Sequence, residues 1–254
     1  MTSSTPVRNA SATAASAAFG ALARLRHRKP LHPRGLVVPV RLVRHGVAGD
    51  GGPLGAAFLD EPGSDAGIAR ISRSAGLPDG WPDVWGLALR LDPPQAASGV
   101  ADLLLAGSFA GPAARHALAL RRGLRAPLTC VLPYRTATGR SVLIGAPERS
   151  EQLPSRRDEL AAHLAAHTAT FTLAVAEPRG EWRPFGTLTV GGAVLGSGDG
   201  HDEPEDVSFE PVLNPLPGLA LPEPLATVRS RAYAGARAGR RADPATVHRL
   251  PAGR

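Results

Sequence analysis

The sequence predicts a mainly β protein of the α+β class: one antiparallel barrel with a few flanking helices and disordered termini. Three observations carry this. Short apolar runs bounded by Gly, Pro and Asp follow one another along the chain, which is the pattern of strands. Few helical segments separate them, so neighbouring strands pair antiparallel and close most simply as a barrel. No G-x-G-x-x-G follows a strand to open a helix, and no G-x-x-x-x-G-K-[ST] loop occurs, so the sequence offers neither a dinucleotide fold nor a P-loop.

The elements follow in order. Residues 1–20 are rich in Ala and Ser and read as disordered or loosely helical. A single domain spans 21–241, and 242–254 is a disordered tail. GLVVPVRLVR (35–44) is the first strand, and a Gly-rich loop covers about 46–67. IARIS (68–72), VWGLALRL (84–91), ADLLLAG (101–107) and SVLIGA (141–146) are further strands. Ser155 and Asp158 read as a capping box before the helix DELAAHLAAH. TFTLAVAE (170–177) and FGTLTVGG (185–192) alternate apolar with small polar residues, as half-buried strands do. An acidic Gly-rich loop occupies 196–207. A Pro-rich extended stretch (209–224) then leads into a last helix carrying Tyr233.

Composition narrows the function. The 254 residues are 43% hydrophobic but only 4% aromatic, so Leu, Val and Ala fill the core. One cysteine, Cys130, excludes an internal disulfide and a multi-cysteine metal site. No apolar run reaches the ~18 residues of a membrane span. The N-terminus places its charge after its apolar part, the reverse of a secretory signal, so a cytoplasmic location is expected. The net charge of +7 is almost all Arg, with Lys29 the only lysine. A basic balance can indicate nucleic acid, and that reading would bring steeply salt-dependent binding. Because Arg, Ala, Gly and Pro dominate throughout, the charge reads instead as compositional.

Several residues could carry chemistry. Tyr233 stands four residues after Arg229 and seven before Arg240. On a helix, i and i+4 share a face, so Arg229 can lie against the phenol and favour its anion. A tyrosinate is a protein ligand of haem iron. The same spacing also fits a solvated, Arg-rich helix face. His32, before the first strand, is a candidate general acid–base or a surface histidine. Arg70 and Ser72 share a strand face. If that face is interior, the arginine calls for an anion and the serine can orient a histidine; otherwise the face is solvated. His163 and His167 are an i, i+4 pair without an evident third ligand. Asp202, Glu203, Glu205 and Asp206 form a run of like charge that is usually solvated.

Taken in order, these segments resemble the haem catalase superfamily. HPRG (32–35) resembles the family's distal histidine segment, and IARISRSAG (68–76) its R-x-S strand. DVWGLALR (83–90) and VSFEPVLNPLPGL (207–219) are similar to two further family segments. Arg229, Tyr233 and Arg240 fit the spacing of its proximal helix. The resemblance spans about residues 29–241. It implies a catalase-like β-barrel binding haem b through Tyr233 as the iron ligand, with Arg229 stabilising its charge. It implies His32 as the distal acid–base and Ser72 as its support. Arg70, Arg240 and Lys29 would receive the propionates.

Two departures are plain. DLLLAGSFAG (102–111) has no Asn where catalases carry a distal one, and the residues after Tyr233 are Ala-Gly-Ala rather than x-D-T. The chain is therefore similar to the small catalase-related haem proteins of bacteria. The implied activity is peroxidase action on hydrogen peroxide or organic hydroperoxides with a small-molecule reductant, and weak or absent catalase turnover. The departures equally suit a non-enzymatic haem-binding scaffold.

Overall fold

The computed structural model describes residues 35–47, 51–74, 77–148, 150–198, 207 and 209–222. Lys29, His32, Arg229, Tyr233 and Arg240 lie outside the described residues, as do both expected disordered ends and the acidic residues 202–206.

The strands are β1 (Gly35–Arg44), β2 (Gly63–Arg73), β3 (Trp85–Leu91), β4 (Ala101–Gly107), β5 (Leu128–Thr129), β6 (Tyr134–Thr136), β7 (Ser141–Ala146), β8 (Ala169–Ala176), β9 (Arg183–Val190), β10 (Gly196–Gly198) and β11 (Leu219–Ala220). Two short helices accompany them, α1 (Ala57–Asp60) and α2 (Arg157–Ala166), with a 3-10 turn at Ala114–His116. Eight strands close an antiparallel barrel in the order β1-β2-β3-β4-β5-β7-β8-β9, with β9 returning to β1. β6 and β11 extend from β7, and β10 pairs with the start of β1.

Strand alternation builds the core. Leu36, Val38, Val40 and Leu42 of β1 point inward with Ala69 and Ile71 of β2, Leu87, Leu89 and Leu91 of β3, and Leu103 and Leu105 of β4. Each such aliphatic side chain contributes about 1.5–3 kcal/mol by leaving water. The strands can close because Gly67 lets β2 and β3 approach: a Cβ there would overlap the Arg90 carbonyl oxygen. Within the interior, Arg44 forks onto Asp65 (Nε to Oδ2 2.6 Å, Nη2 to Oδ1 3.1 Å). Its Nη1 also donates to the carbonyls of Phe58 and Glu61. Both charges are buried, so the pair holds only because the guanidinium's other protons are bonded too.

The main strands match the sequence expectations to within a few residues, apart from the earlier start of β2. Three details differ. The stretch 46–67 is not one loop, because α1 occupies part of it and β2 begins at Gly63. The Asp60 carboxylate organises the turn before α1, accepting from the amides of Leu54, Gly55 and Ala56 at 2.8, 2.7 and 2.9 Å. The start of the expected acidic loop is the short strand β10. Finally, the expected capping box does not form. The N-cap of α2 is Arg156, which makes no side-chain cap. Asp158 instead lies in the first turn, where the Glu159 backbone amide chiefly, and Arg156 in addition, hold its carboxyl below the usual range. Arg156 reaches Asp158 at 3.5 Å and Glu159 at 3.2 Å, so local ion pairing takes the place of the cap. No helix among the described residues is long and apolar enough to cross a membrane.

Candidate functional site

Alternation that sends one set of side chains into the barrel sends the other outward. On β1 to β4 the strand register aligns the outward residues into three rows. The first is Gly35, Ser72, Gly86 and Ala106; the second is Val37, Arg70, Ala88 and Leu104; the third is Pro39, Ile68, Arg90 and Asp102. With strands about 4.8 Å apart and rows about 6.8 Å apart, the face measures roughly 14 by 14 Å. The first row is small, whereas Val37, Ala88 and Leu104 of the second pack with Phe209, Leu195 and Val207, so the face is mostly apolar and its second row is covered by the chain itself. Ser72 and Arg70 supply its polar groups.

The structure thus answers the question left open for Arg70 and Ser72. They do share a face, and it is the outer one, yet that face is not simply solvated. Ser72 is 6% exposed and Arg70 is half-buried. Ile71 enters the core while Ile68 joins a second, outer apolar cluster with Val37 and Phe209, flanked by Ala88, Leu104, Leu195 and Val207. The Arg70 guanidinium lies broadside on Gly35: a Cβ at that residue would fall 2.6 Å from Cζ, 2.7 Å from Nε and 2.8 Å from Nη2. The absence of a side chain at Gly35 is what lets the cation lie close to the start of β1. Gly35 is also the strand partner of Ser72, and His32 is three residues earlier in the chain.

The third row is an anchor. Arg90 and Asp102 face each other across β3 and β4 and form a bidentate pair, both bonds 2.8 Å, with both side chains fully buried. Asp102 Oδ2 also accepts from the Glu210 amide at 2.6 Å and from Asn214 Nδ2 at 2.9 Å. The Asp102 amide donates to the Asn214 carbonyl at 2.8 Å. Phe209 covers the guanidinium, its ring centroid 5.3 Å from Cζ. These bonds fix the segment 209–214 on the outer face, where Phe209 clusters with Val37 and Ile68. Arg90 lies in the segment DVWGLALR (83–90), whose pattern does not show its anchoring role. Asp102 and Asn214 are 112 residues apart, and no local pattern links them.

The other candidates separate. The His163 and His167 rings lie 5.3 Å apart between centroids, tilted 51° to one another. Among the described residues, no group of three or more His, Cys, Asp or Glu could hold a metal ion. Cys130 is buried, its thiol donating to the Leu132 carbonyl at 3.0 Å. In the stretch 102–111, Ser108 is fully buried at the end of β4, and Phe109 is 51% exposed.

No protein-family model matches this sequence, and no curated protein matches it. Solved structures do. A bacterial catalase superposes with a TM-score of 0.58 at 15% identity, over 98% of this chain and 65% of the catalase. A fungal catalase superposes with a TM-score of 0.55 at 12% identity, over 93% of this chain and 63% of that one. The chain thus spans less than two thirds of either catalase, and at these identities the likeness is one of fold. The antiparallel barrel of this protein is catalase-like.

Proposed function

We propose that the protein is a haem-dependent peroxidase on a catalase-like barrel, acting on hydrogen peroxide or organic hydroperoxides with a small-molecule reductant and with weak or absent catalase activity. The observation that carries this reading is the outer face, whose first row is the small set Gly35, Ser72, Gly86 and Ala106, with Ser72 and Arg70 at fixed places on it. Such a surface fits a planar, largely apolar dianion such as haem b, and a guanidinium suits its carboxylates. Tyr233 is assigned as the iron ligand and Arg229 as the cation that favours its anionic form. Arg70, Arg240 and Lys29 are assigned to the propionates.

When bound, the haem supplies the iron chemistry that cleaves the peroxide O–O bond. The chain's own contribution is proton handling and positioning. His32 takes the proton from one peroxide oxygen and returns it to the other. Ser72, buried and opposite Gly35 in the register, is assigned the restraint of His32. Acid–base help of this kind is worth about 10²–10⁴-fold.

The test is the visible spectrum of the purified protein supplemented with ferric haem, wild type against Tyr233→Phe. Stoichiometric binding with ferric tyrosinate features, lost in the variant, is expected. His32→Ala should keep the haem and lose most peroxide-dependent oxidation of a reductant dye. Full haem occupancy in Tyr233→Phe would sink the ligand assignment. The second reading, a haem-binding scaffold without turnover, is favoured by the stretch 102–111, which carries Ser108 and Phe109 and no Asn. Peroxidase turnover by haem-loaded wild type would exclude it.

A further inference from the structure

Two arginines from distant parts of the chain meet at Gly35. Arg70 lies broadside on the glycine's open face. Arg157, in the first turn of α2, brings Nη2 to 3.5 Å from the Gly35 carbonyl oxygen, across 122 residues of sequence. Standard backbone dimensions then put the two guanidinium groups within about 10 Å of each other. Its neighbour Arg156 turns the other way, toward Asp158 and Glu159. The consecutive arginines of α2 are thus divided, one engaging the helix's own acids and the other the edge of the outer face.

We infer that Arg157 and Arg70 together form a two-guanidinium edge that binds the carboxylates of a dianionic planar ligand, with Arg157 a binding residue of the site. This deepens the proposed haem reading and rests on it. An arginine fork matches a carboxylate in geometry as well as charge. A second cation at the same edge gives a second carboxylate its own partner. Arg157 belongs to no segment that marks the site in the sequence, because it reaches the edge through the packing of α2 against β1.

The test is a titration of the full-length protein with ferric haem and, separately, with ferric haem dimethyl ester, whose carboxylates are masked. Binding is followed by the Soret band in wild type, Arg157→Ala and Arg157→Lys. Wild type should prefer the free acid. Arg157→Ala should weaken haem binding by about 10- to 100-fold, the worth of a charge-assisted hydrogen bond, and leave the ester unchanged. Arg157→Lys should recover part of the loss, since it keeps the charge without the fork. Equal weakening of both ligands, or of neither, would overturn the inference while leaving the haem reading in place. So would a wild type that binds acid and ester equally. A wild type that binds neither would overturn the haem reading, and this inference with it.

Discussion

Replacing Asp102 by Asn tests the anchor most directly. The two side chains have nearly the same shape, so packing is preserved and the charge is what changes. Asp102 accepts from Arg90 Nε, Arg90 Nη2, the Glu210 amide and Asn214 Nδ2 within 2.6–2.9 Å, with no solvent exposure. An asparagine has one acceptor oxygen, so whichever way its amide turns, its NH2 faces at least one of these donors. Arg90 also loses its counter-charge while buried. Breaking a buried pair from one side costs about 3–5 kcal/mol, a large fraction of the ~5–15 kcal/mol that holds a domain together. For a domain of this size, that corresponds to a fall in Tm of roughly 6–20 °C. Urea unfolding followed by tryptophan fluorescence, with m unchanged, gives the free energy directly. Native-state limited proteolysis should show new cuts within 209–222, because two of the four bonds hold that segment. A loss below about 1 kcal/mol, the worth of an exposed pair, would refute the claim that Asp102 is the anchor.

Three further outcomes follow from the geometry. Gly67→Ala should destabilise the barrel by about 1–3 kcal/mol, because the new Cβ meets the Arg90 carbonyl and comes within 3.0 Å of Leu91 Cα, backbone atoms that cannot move aside cheaply; chemical denaturation measures it. The three atoms nearest a Cβ at Gly35 all belong to the far end of Arg70, Cζ at 2.6 Å, so with Gly35→Ala stability should change by less than about 1 kcal/mol. The displaced guanidinium should nevertheless lower affinity for ferric haem more than for its dimethyl ester, and equal affinities would count against Arg70 as an anion-binding group. Asp158 is held below the ordinary carboxylate range, first by the Glu159 amide. A depressed folded value means its contribution is present above the unfolded value of about 4 and is lost as pH falls through the folded one. Asp158→Asn should therefore flatten the acid limb of a Tm-against-pH curve below roughly pH 4, by a small amount because the group is exposed; an unchanged limb would remove it as a contributor.

Much of the barrel could be read from the chain because its strands are long, apolar and punctuated. The pattern gives β1, β4 and β7 to the residue and β3 to within one, since Gly, Pro and Asp bound each run. β5, β6 and β11 have two or three residues each, too few to show a period. The helix cap failed because S-x-x-D specifies a spacing, while Arg156 and the first-turn acids offered the backbone a competing arrangement. The site divides in the same way. Arg70 and Ser72 could be placed on one face by parity alone. Which face that was depended on Ile68 and Ile71, which point to opposite sides, and only closure of the barrel decides between them. Asp102, Asn214 and Arg157 reach their partners across 108 to 122 residues of chain, and long-range register leaves no trace in a local pattern.

The three rows of the outer face also separate two demands that usually conflict. A surface that accepts a broad planar ligand must be smooth and poor in bonds of its own, and such a surface adds little to the stability of the sheet beneath it. Here the first row carries Gly35, Gly86 and Ala106, while the third concentrates a buried ion pair, three bonds with the 209–214 segment and an aromatic cover. The core on the opposite side of the same strands is continuous. Substitutions in the first row should therefore alter binding with modest cost to folding, and substitutions in the third should do the reverse. Asp102→Asn and Gly35→Ala, measured for both stability and ligand affinity, place one variant on each side of that division. If both lost stability and affinity in the same proportion, the face would be a single cooperative unit, and the separation of anchor from ligand surface would have to be given up.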